Sequence, residues 1–212
     1  SVMGHENNAY QAVRKELEAG HQAYFVYPLI QEEEGDGSLK SAQEMFKFLS
    51  EKVYPDFKTA LVHSQIDEDE SHKILDDFAK GEIKVLVATT VVEVGVDVPN
   101  ATCIVIEHAD RFGLAELHQL RGRVGRNSLQ SYCFLIYSKN ISPDGVERMK
   151  ALRESCDGFE IAEKDLKLRG PGQLSGTQQS GYLDLNIADL ARDKDMLLEA
   201  RYEAFKYLTG LK

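Results

Sequence analysis

The chain has 212 residues, of which 42% are hydrophobic and 28% charged, and its formal net charge is −10. These values are typical of a soluble globular protein with one large domain and an appendage. The apolar runs, such as residues 103–106, are far too short to span a bilayer, so we predict no membrane partner.

The first residues lack the apolar core of a signal peptide, and we interpret residues 1–8 as a tag or linker. After them, predicted strands and helices alternate. Helical spacing behind capping residues predicts helices that begin near Ser38 and Asp67, and a further helical stretch begins near Leu114. The alternation predicts an α/β domain over residues 9–139, with a mostly parallel sheet and helices on both faces. Its strands are predicted at 22–27, 57–62, 83–88, 102–107 and 132–137, and the runs 83–88 and 102–107 have the apolar pattern of strands that are covered on both faces.

The pattern changes after residue 139. Two helical stretches, 143–152 and 159–168, precede a glycine-rich loop. The tail that follows is apolar on two sides of a predicted helix, so we expect it to pack against two neighbours. We therefore divide this part of the chain into a helical hairpin with a loop, residues 140–181, and a helical tail, residues 182–212.

Three cysteines, Cys103, Cys133 and Cys156, are odd in number and include no CxxC pair. Cys103 and Cys133 lie inside predicted strands, where a cysteine acts as a small hydrophobic residue. We therefore predict neither a disulfide nor a metal site, and this favours a reducing, cytoplasmic location.

Residues 118–126, His-Gln-Leu-Arg-Gly-Arg-Val-Gly-Arg, concentrate three arginines and two glycines directly after a predicted helix. Arginine presents a planar fork that matches phosphate oxygens, and glycine lets the backbone approach a ligand closely. A local basic segment can therefore meet phosphate in spite of the negative net charge. From these residues alone, a solvated basic turn is the simpler interpretation.

A second segment, residues 85–99, carries an apolar strand into a loop with two threonines, an acid, a glycine and another acid. Parallel sheets bind ligands beyond the carboxyl ends of their strands. The polar residues could contact such a ligand. The alternative is an ordinary loop in which Thr90 caps a short helix and Asp97 completes a turn.

These segments resemble motifs of the superfamily 2 helicases. Residues 119–126 match the sixth motif, QxxGRxGR, and residues 85–99 resemble the fifth motif, in the family's order. His63 and Ser64 stand where relatives carry a His-Gly pair near the nucleic-acid backbone, with Ser64 in place of the glycine. A histidine at a sheet edge with its hydrogen bonds satisfied is the alternative for His63.

Residues 157–181 contain Arg169-Gly-Pro-Gly172, and a helix rather than a strand precedes this glycine run, which argues against a dinucleotide-binding motif. The string is similar to the translocation segment of the RecG family of bacterial fork-remodelling helicases. Transcription–repair coupling factors have a related segment, typically with Arg-Gly-Ala-Gly at this point.

The resemblance implies the second RecA-like domain of a motor in which ATP lies between two domains. Arg123 and Arg126 would act as arginine fingers, and Gln119 would orient the attacking water. By the same resemblance, the nucleotide would lie near Gly95, Asp97 and Gly122, and DNA phosphates near Thr89, Thr90, His63 and Ser64. Coupling of hydrolysis to translocation would depend on Arg169, Gly170, Gly172 and Gln178.

The sequence contains no GxxxxGK[ST] phosphate-binding motif. The resemblance therefore implies that ATP is shared with a first motor domain of the same parent chain, which would hold most of the Mg²⁺ coordination. The implied partners are branched DNA, that first motor domain and an N-terminal wedge domain. A coupling-factor translocase and a non-catalytic nucleic-acid-binding module are the alternatives.

Overall fold

A computed structural model describes residues 6–28, 37–63, 65–89, 98–125 and 129–169. Its five strands run parallel in a single sheet of order β2-β3-β1-β4-β5. The predicted parallel α/β architecture is thereby confirmed. The strands are β1 Gln22–Tyr27, β2 Thr59–Val62, β3 Val85–Thr89, β4 Ala101–Ile106 and β5 Tyr132–Leu135.

The described helices divide between two compact units, which separate between Cys156 and Asp157. The predicted end of the first domain, near Lys139, falls inside the first unit, which also includes α5. The first unit contains α1 Glu6–Glu18, α2 Gly37–Phe48, a π-helical turn Leu49–Val53, α3 Glu68–Ala79, a 3₁₀ turn Ala109–Arg111, α4 Leu114–Arg121 and α5 Pro143–Glu154, and the second contains α6 Gly158–Arg169.

The three central strands, β1, β3 and β4, are buried at every position because helices cover both faces of the sheet. On one face, Phe25 packs against Tyr10 of α1 and against Tyr54, with ring centroids 5.9 Å apart in both pairs. On the opposite face, the ring of Tyr24 lies 4.9 Å from that of Phe78 in α3. Successive residues of a strand point to opposite faces, so β1 contributes to both cores.

Helix α1 begins at Glu6, within the segment 1–8 that the sequence analysis interprets as a tag or linker. Its buried residues, Ala9, Tyr10, Val13 and Leu17, recur at intervals of one, three and four positions and form one apolar face. The polar residues 6–8 belong to its first turn, where the sequence offers no apolar pattern. Residues 6–8 are helical because they continue the helix whose apolar face begins at Ala9.

Capping residues set the starts of two other helices. The carboxylate of Asp67 accepts a hydrogen bond from the amide of Asp69 at the start of α3. The hydroxyl of Ser142 likewise accepts from the amide of Gly145, with Pro143 in the first turn of α5. After α3, Gly81 takes a φ of +80°, which glycine adopts without strain.

Candidate functional site at the carboxyl edge of the sheet

The five parallel strands end at one common edge of the sheet, where the polar residues predicted from sequence follow the strands. Thr89 is the last residue of β3 and lies opposite Tyr27 of β1. It is only 1% exposed, so its side chain belongs to the packed edge and not to the open surface. His63 follows β2 and is half-buried. The structure therefore places Thr89 and His63 at the edge where ligands of open α/β sheets bind.

The imidazole of His63 is oriented locally. Its Nδ1 accepts a hydrogen bond of 3.2 Å from the amide of Gln65. This bond requires Nδ1 to be unprotonated, so in neutral His63 the proton resides on Nε2. The arrangement agrees with a satisfied edge histidine, and it also leaves an N–H group that can donate to a phosphate.

Helix α4 presents the arginine-rich segment. Leu114, Leu117 and Leu120 are buried and fix one face of this short helix. Gln119 is exposed. The helix ends at Arg121, and the amide of the capping residue Gly122 donates to the carbonyl of His118 at 3.1 Å.

The residues after α4 turn sharply. The amide of Arg123 donates to the carbonyl of Leu120 at 3.0 Å, and the Arg123 side chain is half-buried. Gly125 has a φ of +80°, a backbone conformation that residues with a side chain adopt only with strain. Gly122 has an ordinary φ of −68°, so backbone strain does not explain the glycine there. The structure thus brings Gln119, Gly122 and Arg123 together at the end of α4.

Arg121 has a different role from the other arginines of the segment. Its Nη1 donates to the carbonyls of Leu152 and Ser155 at 2.7 and 2.8 Å. These carbonyls lie at the carboxyl end of α5, where helical carbonyls lack intrahelical partners and favour a cation. Arg121 therefore joins α4 to the end of α5. The sequence offered a signal, because Arg121 is seven residues after Leu114 and so falls on the inward face of α4.

Glu107 is a buried residue that was not predicted from the sequence as part of a site. It directly follows β4, is 4% exposed, and accepts a 2.9 Å hydrogen bond from the hydroxyl of Tyr10. Burial raises the pKa of its carboxyl group from 4.5 to about 7, although the hydrogen bond from Tyr10 acts in the opposite direction. A charged residue at the end of a buried apolar strand was the available signal.

Other predicted site residues lie outside the described part of the chain. They are Ser64, Thr90, Gly95, Asp97, Arg126, Gly170, Gly172 and Gln178. Arg169 is the last residue of α6. In the described ranges, no group of three or more metal-binding side chains comes together. None of the helices in those same ranges is both long and apolar enough to cross a membrane.

One protein family matches the part of the chain that contains β1 to β4 and α4. The family described as helicase conserved C-terminal domain matches residues 8–128, more than half of the chain. The chain belongs to this helicase family. A second family, described as ATP-dependent DNA helicase RecG, domain 3, C-terminal, matches residues 155–210. The helicase C-terminal domain includes Thr89 and the whole of α4, and the second match includes α6.

Individual relatives agree with this assignment. ATP-dependent DNA helicase RecG from Borreliella burgdorferi is 48% identical over 200 residues, which cover 94% of this chain and 29% of the relative. RecG from Treponema pallidum is 50% identical over 202 residues, again 94% of this chain and 29% of the relative. The chain therefore spans less than a third of the length of these proteins.

A solved structure supports the fold. A structure of RecG bound to a three-way DNA junction is 43% identical and has a TM-score of 0.69, covering 93% of this chain and 25% of that one. The helicase C-terminal domain thus has the RecA-like fold that the motifs predicted.

Glu107 should make the stability of the helicase C-terminal domain depend on pH. Its folded pKa of about 7 exceeds the unfolded value of 4.5, so folding favours the protonated carboxyl group. The stability that this group contributes is complete below about pH 4.5 and is lost as pH rises through 7. We expect Glu107→Gln to leave stability almost unchanged near pH 4 and to raise it by up to about 3 kcal/mol at pH 8.

Chemical denaturation of both proteins across this pH range would measure the difference in the free energy of unfolding. A difference that stays constant with pH would show that Glu107 does not ionise in this window in the folded protein.

Proposed function

We propose that this chain is the C-terminal motor half of an ATP-dependent DNA helicase or translocase that remodels branched DNA, such as stalled forks and Holliday junctions, in recombination and repair. The observation that carries the proposal is the placement of Gln119, Gly122 and Arg123 together at the end of α4, in a chain without a phosphate-binding motif of its own. A residue set that offers arginines but no phosphate-binding loop fits one side of a shared ATP site. The sequence similarity to RecG proteins supports the same activity for the parent protein, which we place in the cytoplasm.

The role of this chain at the nucleotide is electrostatic. ATP supplies the phosphoryl group that is transferred to water. Arg123 and Arg126 would stabilise the negative charge that develops on that group, because guanidinium ions keep their charge and match phosphate oxygens. The exposed Gln119 would orient the water.

The remaining nucleotide contacts would be shared between two domains. Gly95, Asp97 and Gly122 would lie beside the nucleotide on the side of this chain. The first motor domain of the parent chain would contribute the phosphate-binding motif that this sequence lacks, and it would hold most of the Mg²⁺ coordination.

DNA would lie along the carboxyl edge of the sheet. The ends of β2 and β3 place His63 and Thr89 at that edge, and Ser64 and Thr90 follow them in sequence. The hydroxyl groups of Ser64 and Thr90, the imidazole N–H of His63 and backbone amides would be the donors to phosphate oxygens, because the side chain of Thr89 is buried. Contacts of this kind position a strand without reading its bases, so we expect movement along DNA to be largely independent of sequence.

Coupling between hydrolysis and movement would begin at Arg121. Its guanidinium group links α4 to the last turn of α5, and the chain then passes through Cys156 and Asp157 into α6. A displacement of α4 during ATP turnover would therefore be transmitted to the end of α5. At the end of α6, Arg169 and the following segment, including Gly170, Gly172 and Gln178, would act on duplex DNA.

The arginine role predicts the effect of Arg126→Ala in the full-length parent protein. Fork-stimulated ATP turnover should fall at least about tenfold, roughly 1.4 kcal/mol of barrier, while ATP and DNA still bind. Arg153→Ala is the matched control, because it removes the same charge from an exposed position on α5 and should retain normal turnover.

The 212-residue chain alone should hydrolyse no ATP. Hydrolysis by the isolated chain, or unchanged turnover in Arg126→Ala, would contradict a site built across two domains.

The coupling role predicts a separation of activities in Arg169→Ala. Because Arg169 is proposed to act on DNA movement and not on ATP, fork-stimulated hydrolysis should continue while regression of a model fork is lost. Hydrolysis and fork regression would be measured on the same preparation. Loss of both activities would place Arg169 in the ATP site and refute the coupling proposal.

A further inference from the structure

The corner between β4 and α4 contains one buried charged side chain. The amide of Glu107 donates to the carbonyl of Val26 at 2.9 Å, which continues the ladder between β4 and β1. The next residue, His108, has a φ of 50°, in the left-handed region. Residues with side chains adopt this conformation at a cost and keep it only where their surroundings hold it. The chain then makes a 3₁₀ turn and enters α4.

We propose that Glu107 is a positioning residue for α4, and that its hydrogen bond with Tyr10 holds the turn at His108 and so the placement of Gln119 and Arg123. The inference rests on the proposed ATP hydrolysis and goes beyond it, because Glu107 acts through α4 and not on the nucleotide. Only residues 108–113 separate Glu107 from the first residue of α4. Over so short a connection, a shift at Glu107 reaches α4 directly.

The partner hydroxyl is itself held in place by the core. The Tyr10 ring packs on Phe25, and the hydroxyl of Tyr54 donates to the Tyr10 carbonyl at 3.0 Å. Tyr10 therefore offers a fixed donor to Glu107. A hydrogen bond to an ionised carboxylate is stronger than one between neutral groups, so the ionised form of Glu107 holds the corner best.

The surroundings of Glu107 allow it to titrate. A cavity of ≈ 330 Å³ adjoins it, between α1, α2 and the ends of β1 and β4. Burial raises the pKa of Glu107 to about 7, and burial lowers the pKa of the neighbouring His108 from its usual value. The other titratable groups that face Glu107 are Glu6 and Tyr10 on α1, Tyr27 on β1, and Tyr54.

Two tyrosines provide a matched test in the full-length parent protein. Tyr10→Phe removes the hydroxyl that bonds Glu107, and Tyr27→Phe removes a buried hydroxyl that has no hydrogen-bond partner among the described residues. The readout is kcat for DNA-stimulated ATP hydrolysis as a function of pH. In the wild type, kcat should fall as pH falls through about 7.

Tyr10→Phe should lower kcat about threefold to tenfold with little change in KM for ATP. It should also shift the fall in kcat at acid pH (the acid limb of the pH profile) to higher pH, because the lost bond had lowered the pKa of Glu107. Tyr27→Phe should keep the wild-type profile. Glu107→Gln should lower kcat and abolish the limb while melting at a higher temperature at pH 8, a combination that loss of packing would not produce.

Equal profiles for Tyr10→Phe and Tyr27→Phe, or a limb that persists in Glu107→Gln, would overturn the inference. The Arg126→Ala variant distinguishes this result from a failure of the proposed function. If the proposed function were wrong, Arg126→Ala would not change ATP hydrolysis. If only the positioning role of Glu107 were wrong, Arg126→Ala would still lower ATP hydrolysis.

Discussion

The guanidinium group of Arg121, bound to the carbonyls of Leu152 and Ser155, is the interaction on which the candidate site depends. A short helix such as α4 is unstable in isolation and keeps its place through tertiary contacts. Its three buried leucines supply the apolar contacts, and Arg121 supplies a directional one. Hydrogen bonds from a charged donor contribute about 1.5–3 kcal/mol each, enough to fix the helix against the end of α5.

Hydrogen bonds also fix the chain just before the start of α4. At the preceding corner, Asp110 accepts a 3.0 Å hydrogen bond from the amide of Ser138, and its carbonyl accepts one of 2.9 Å from Arg148 of α5. Glu107 adds the bond to α1. The buried carboxyl group costs stability once it ionises, as pH rises through about 7. Glu107 lowers the stability of the fold but lies at the corner that leads to Gln119 and Arg123. This is consistent with a residue kept for the position of those side chains at the expense of stability.

Much of the fold could be predicted from sequence because its signals are local. Short, largely apolar segments predicted the strands, and Asp67 marked the start of α3 through capping chemistry. The spacing of Arg121 indicates which face of α4 it occupies, but its acceptors lie 31 and 34 residues later in the chain, beyond the reach of any local pattern. Glu107 was missed for the same reason: its donor is on α1, and the apolar run that precedes it gives no sign of that distant contact.

Turnover of full-length Arg121→Met tests the central claim most directly, since the substitution keeps an unbranched side chain and removes both hydrogen bonds. DNA-stimulated kcat would be measured at a temperature where circular dichroism shows the protein folded. We predict that kcat falls at least about tenfold, although Arg121 bonds to α5 and not to the nucleotide, because α4 loses its anchor. A folded Arg121→Met protein with wild-type kcat would contradict this claim, since the placement of Gln119 and Arg123 would then not depend on the bond to α5.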